Sequence, residues 1–116
     1  MKVTGIIAEY NPFHEGHAYQ LNFAKSFSDA VIVVMSGSFV QRGDAAIFDK
    51  FKRTEVALKH GADLVLELPV VFSLNTAERF AFGAISVLYN TNIVYFLLFG
   101  SECGNIDILK KAAELL

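Results

Sequence analysis

With one cysteine, Cys103, the chain can form no internal disulfide, which fits a reducing compartment and sets the expectation of a cytoplasmic protein. Long apolar runs are missing too. The hydrophobic stretches break off before the roughly 18 residues that a spanning helix needs, and Met1-Lys2-Val3 enters a strand-like segment without a signal-peptide layout. No membrane association is therefore expected. Low-complexity tracts, internal repeats and linkers are absent. Lys and Arg number 10 against 12 Asp and Glu, a formal net charge of −2, so the clustered cations that mark nucleic-acid binding are lacking. What is there is 116 residues with 53% hydrophobic and 19% charged content, enough for one compact domain with a core of its own. The mean hydropathy of +0.41 is high for a small domain. It implies an apolar face left uncovered, which would drive homodimerisation.

The apolar residues fall into alternating patterns. Residues 3–8 and 30–35 are continuous β-type runs of the kind buried on both faces of a parallel sheet. Residues 63–68, stopped by Pro69, and 93–99 supply two more strands. Between them Leu21, Ala24 and Phe27 mark one helix, and Val56, Ala57 and Leu58 a second, with Asp49 as N-cap and Gly61 as terminator. Ser73 is expected to cap a third, running through Ala77, Phe80, Ala84 and Leu88 and ending before Asn92. Ile106, Leu109, Ala113 and Leu116 mark a last one. Strands alternating with helices on short connections predict an α/β fold, a Rossmann-like parallel sheet of about four strands with flanking helices. The expected strand order is 3-2-1-4, with a ligand cleft between strands one and four at the carboxyl rim.

The chemistry concentrates in residues 5–20. An apolar strand ends in a loop punctuated by Pro12, and a helix begins near Gly16. Helix N-terminal amides have no intrahelical partner and carry partial positive charge, so the turn suits an anion, phosphate above all. His14 and His17 flank the helix start and either donate to phosphate oxygens or serve a capping or turn role; Gly16 lets backbone approach a bulky ligand. Such fixed donors matter most when charge builds on a transferring phosphoryl group. A zinc reading needs further ligands, and only His60 and Cys103 remain, neither patterned as a metal pair, so no metal site is assigned. Gly100-Ser101-Glu102 stands either against a ligand or as a plain turn. Cys103 has no basic partner in its motif and reads as a small buried residue. Arg42 and Lys50 are candidates for a substrate contact; the plain alternative for Lys50, Lys52 and Arg53 is a solvated helix face, which is the reading taken for Lys52. Glu67 either orients a polar group at the rim or is held by backbone amides.

The pattern His14-Glu15-Gly16-His17 after a strand resembles the His-x-Gly-His signature of the nucleotidylyltransferase superfamily. Glu9-Tyr10-Asn11-Pro12-Phe13-His14, Met35-Ser36-Gly37-Ser38-Phe39-Val40-Gln41-Arg42-Gly43, Gly61-Ala62-Asp63-Leu64-Val65 with Glu67-Leu68-Pro69, and Phe99-Gly100-Ser101-Glu102 narrow the resemblance. Together and in this order they are similar to the bacterial tRNA(Met) cytidine acetate ligase family. The resemblance implies a nucleotidylyltransferase-type fold and a site in which His14 and His17 are catalytic. ATP would lie along Ile7, Ala8, Glu9, Tyr10, Asn11, Pro12, Phe13, His14, Glu15, Gly16, His17, Ala18, Tyr19 and Gln20, with Gly100 against the nucleotide. Mg2+ would accompany ATP. Acetate would be activated as acetyl-adenylate and passed to the wobble cytidine of elongator tRNA(Met), giving N4-acetylcytidine. Family members are a few times longer than 116 residues, so residues 1–116 are expected to be the N-terminal, ATP-binding domain of a longer protein, binding ATP weakly by itself and inactive on tRNA. Two alternatives stand beside this one. The first is an adenylyltransferase acting on a small phosphorylated substrate, and the second a nucleotide-binding module without catalysis.

Overall fold

The computed structural model describes residues 1–10, 12–37, 49–73 and 76–99. Its elements follow in the order β1 (Val3–Ala8), α1 (Glu15–Phe27), β2 (Ala30–Ser36), α2 (Lys50–Lys59), β3 (Leu64–Leu68), α3 (Val70–Ser73), α4 (Ala77–Asn90) and β4 (Phe96–Phe99). The four strands form one parallel sheet in the order β3-β2-β1-β4, as expected. Every residue of β1 is buried, and every residue of β2 after Ala30. Their unbroken apolar character is what a strand covered on both faces requires.

Helices cover the two faces as right-handed crossovers dictate. On one side Leu21 and Ala24 of α1 and Ala57 of α2 pack against Ile6, Val31 and Val33. On the other Phe80, Ala84 and Leu88 of α4 meet Ile7, Ile32 and Val34. The first two crossovers step from β1 outward to β3, and the third returns across the sheet to β4. Strand order thus reverses between β1 and β4, where Thr4 pairs with Phe96 and Ile7 with Phe99; in parallel sheets such a switch point is where ligands lie beyond the carboxyl ends.

Local signals explain most boundaries. The Asp49 carboxylate accepts from Lys52 N–H at 2.8 Å and starts α2, while Gly61, at φ 121°, follows its end. Two boundaries differ from expectation. Helix α4 is capped by Thr76, whose Oγ1 accepts from Arg79 N–H at 3.2 Å, because residues 70–73 form a turn of their own in which Phe72 N–H donates to Pro69 O at 3.0 Å. Strand β4 begins at Phe96 because Asn92 turns at φ 63° and the next three residues carry the chain from α4 to the sheet. The expected last helix, together with Gly100, Ser101, Glu102 and Cys103, lies outside the described residues, as do Asn11 and residues 38–48 with Gln41, Arg42 and Gly43. Among the described residues no helix is long and apolar enough to cross a membrane.

Candidate functional site

At the exit of β1 the chain turns sharply. Tyr10 is fully buried at φ 53°, a left-handed conformation that costs a residue with a Cβ on the order of 1 kcal/mol and persists only where packing holds it. Its ring meets the edges of Phe13 and His17, each at 4.8 Å between centroids, and Phe13 leans in turn on His60 at 4.9 Å. The sequence separates His60 from this loop by more than forty positions; the fold sets it against Phe13. Nothing in its spacing signals this.

The histidine pair then starts α1. His14 is the N-cap residue, and its Nδ1 accepts from Gly16 N–H at 3.1 Å. His17 Nδ1 accepts from His14 N–H at 3.1 Å, so each imidazole satisfies a backbone donor of the first turn. The rings stack with centroids 3.7 Å apart. A nitrogen that accepts a hydrogen bond carries no proton, so both neutral rings are placed in the tautomer with the proton on Nε2. His17 is 6% exposed, and burial, followed by the neighbouring His14, lowers its pKa from 6.5 to about 4. At neutral pH it is an uncharged N–H donor.

This arrangement modifies the expected role of the helix amides. Gly16 N–H is bonded to the His14 ring, and His17 and Ala18 N–H both reach His14 O, at 3.0 and 3.1 Å. The amides of residues 16–18 are therefore engaged within the turn itself. Gly16 has a reason within the chain to be glycine, since a Cβ there would sit 2.9 Å from His14 Cε1. Of the other candidate nucleotide contacts, Ile7, Ala8 and Tyr10 are buried and Tyr19 is 72% exposed. Phe99, which precedes Gly100, is in register with Ile7.

One cation at this rim has a role that the sequence left open. Arg53, grouped with solvated Lys52, is 2% exposed. Its Nη1 donates to Glu9 O at 2.7 Å and Ser36 O at 3.1 Å, and its Nη2 donates to Gly37 O. Burial lowers its pKa, opposed by the charges of Glu9, Asp49 and Glu67. The available clue was spacing: Arg53 stands four residues before buried Ala57, on the inner stripe of α2. Lys50 pairs with Glu67, Nζ donating to Oε1 at 2.9 Å and Oε2 at 3.2 Å. Among the described residues the Glu67 carboxylate is thus met by an ammonium.

Comparison with known proteins gives a consistent result. The family described as HIGH Nucleotidyl Transferase matches residues 1–116. The chain is 54% identical to a tRNA(Met) cytidine acetate ligase of Halothermothrix orenii and 55% identical to one of a Thermoanaerobacter species, aligning over all of this chain but 28% and 29% of theirs. The chain thus spans less than a third of the length of these curated relatives. Among solved structures, Thermotoga maritima TmcAL bound with alpha-thio ATP superposes with a TM-score of 0.85 at 51% identity, over 99% of this chain and 28% of that one. The resemblance drawn from the four motifs is borne out along the whole chain.

Proposed function

Because the chain belongs to the HIGH nucleotidyl transferase family, we propose that residues 1–116 are the ATP-binding domain of an acetate-activating tRNA(Met) cytidine ligase. The observation that carries this reading is the stacked pair His14 and His17, both accepting backbone donors at Nδ1, at the start of α1 after β1, the strand beside which the sheet order reverses. The names of the relatives and the nucleotide bound in the Thermotoga structure support it.

In this reaction an acetate oxygen attacks the α-phosphorus of ATP, the bond to the bridging oxygen breaks, and pyrophosphate leaves with the electron pair. The N4 amine of the wobble cytidine then attacks the acetyl carbonyl, and AMP departs. His14 and His17 donate from Nε2–H to oxygens of the phosphoryl group as charge builds on them. Donors held in place before the reaction favour the transition state over the bound substrate to the extent that charge grows on the oxygens they meet. Magnesium accompanies ATP on phosphate oxygens and water. Contacts to tRNA are assigned to parts of a longer protein, since this chain carries a formal charge of −2. The chain is further read as cytoplasmic and self-associating.

Calorimetric titration of ATP into the chain, with and without acetate, tests the site. The wild type is expected to bind, and the His14→Ala, His17→Ala double variant to bind roughly 10- to 100-fold more weakly, the loss of hydrogen bonds to a charged group. Equal affinities would remove the histidines from the site. A response to a small phosphorylated acceptor and none to acetate would favour the adenylyltransferase reading, which the family description by itself allows.

A further inference from the structure

The buried guanidinium of Arg53 joins the exits of the two central strands. Glu9 is the first residue beyond β1, Ser36 the last of β2 and Gly37 the first beyond it, and all three carbonyls accept from the same side chain. At a strand end the ladder no longer supplies donors, and a buried carbonyl left without one costs on the order of 1–3 kcal/mol. A planar fork with five N–H groups on separate nitrogens spans carbonyls arriving from two strands, whereas the three N–H groups of an ammonium radiate from one nitrogen and lack that fixed span.

The exit of β2 is held from a second side. The Glu67 carboxylate lies against Gly37, where a Cβ would collide with Oε2, and Lys50 fixes that carboxylate. The exit of β1 leads from Glu9 into the left-handed turn at Tyr10 and on to His14. Arg53 therefore sets the distance between the two exits.

We propose that Arg53 is a positioning residue of the ATP site, fixing where the His14/His17 loop leaves the sheet. This inference rests on the ATP-site reading. It is tested by titrating ATP into the wild-type chain, Arg53→Ala, Arg53→Lys and the exposed-cation control Lys52→Ala, with circular dichroism and thermal melts giving the folded fraction. Affinity per folded molecule is expected to fall roughly 10- to 100-fold in both Arg53 variants, the effect of a displacement of about 1 Å, and to be unchanged in Lys52→Ala. Millimolar guanidinium should restore binding in Arg53→Ala. Should Arg53→Ala not fold, Arg53→Lys decides by itself. Wild-type affinity in folded Arg53→Lys or Arg53→Ala overturns the proposal, as does guanidinium that restores the melting temperature and not the affinity. If the wild type binds ATP and the double histidine variant does not, those outcomes count against Arg53 only. A wild type that does not bind ATP removes the site and this inference with it.

Discussion

At the scale of single residues, His17 couples the site to pH. Its pKa is near 4 in the folded chain against 6.5 for an unperturbed imidazole, so between those values the unfolded chain binds the extra proton. Stability is then fully present above pH 6.5 and is lost as pH falls toward 4, by roughly 1–3 kcal/mol in total. Urea midpoints at pH 7 and pH 4.5 should show this loss for the wild type, and His17→Gln should show less of it. An identical acid dependence in the two proteins would place the titration elsewhere. The residue types of this turn were readable from sequence, because His, Gly and His after a strand have few other uses. A capping role was one of their two readings, but that each imidazole would take a backbone donor of the same turn was not legible. Helix starts are recognised by Ser, Thr, Asp and Asn, and imidazoles that close a first turn carry no such signal. Arg53 was not legible for a similar reason: an arginine next to Lys52, on a helix that also carries Lys50, looks solvated until the carbonyls of distant segments surround it.

At the scale of elements, Asp63 ties three together. It precedes β3, its N–H donates to Val31 O at 2.9 Å, and its Oδ2 accepts from Val31 N–H and from Lys25 Nζ on α1, each at 2.8 Å. Burial alone would raise its pKa, but the Lys25 hydrogen bond and the Val31 N–H outweigh it and hold the carboxyl below the usual range. Asp63→Ala should destabilise the fold by about 1–2 kcal/mol, and Asp63→Asn by less because an amide oxygen can still accept from Val31. Equal melting temperatures for wild type and Asp63→Ala would deny the tie any weight. Elements with a strong period or an unmistakable cap, β1, β2 and α2, were legible to within a residue or two. Ser73 and Thr76 are equally good capping types, and only the separate turn at Val70–Ser73 decides between them. Strand β4 reads longer than it is because apolar residues that cross from α4 to the sheet look like residues within it.

At the scale of the whole molecule, apolar surface gathers along the β4 edge. Tyr89, Ile93, Tyr95, Phe96 and Leu97 are all exposed there, next to the sheet's outer strand. Patches of this kind promote association. Light scattering over a concentration series should find a mass rising toward that of a dimer; a strict monomer at the highest concentration would count against it. The same strand also orders events in time. β1 comes first among the described strands, yet one of its two neighbours is β4, the last of them, so their pairing closes a loop containing nearly everything between. Contacts of such long range form late, after local helices and the β1–β2–β3 unit can assemble. The proposed nucleotide site, set beside β1 where it pairs with β4, therefore waits on a late contact, and without β4 its histidines stand with one wall missing.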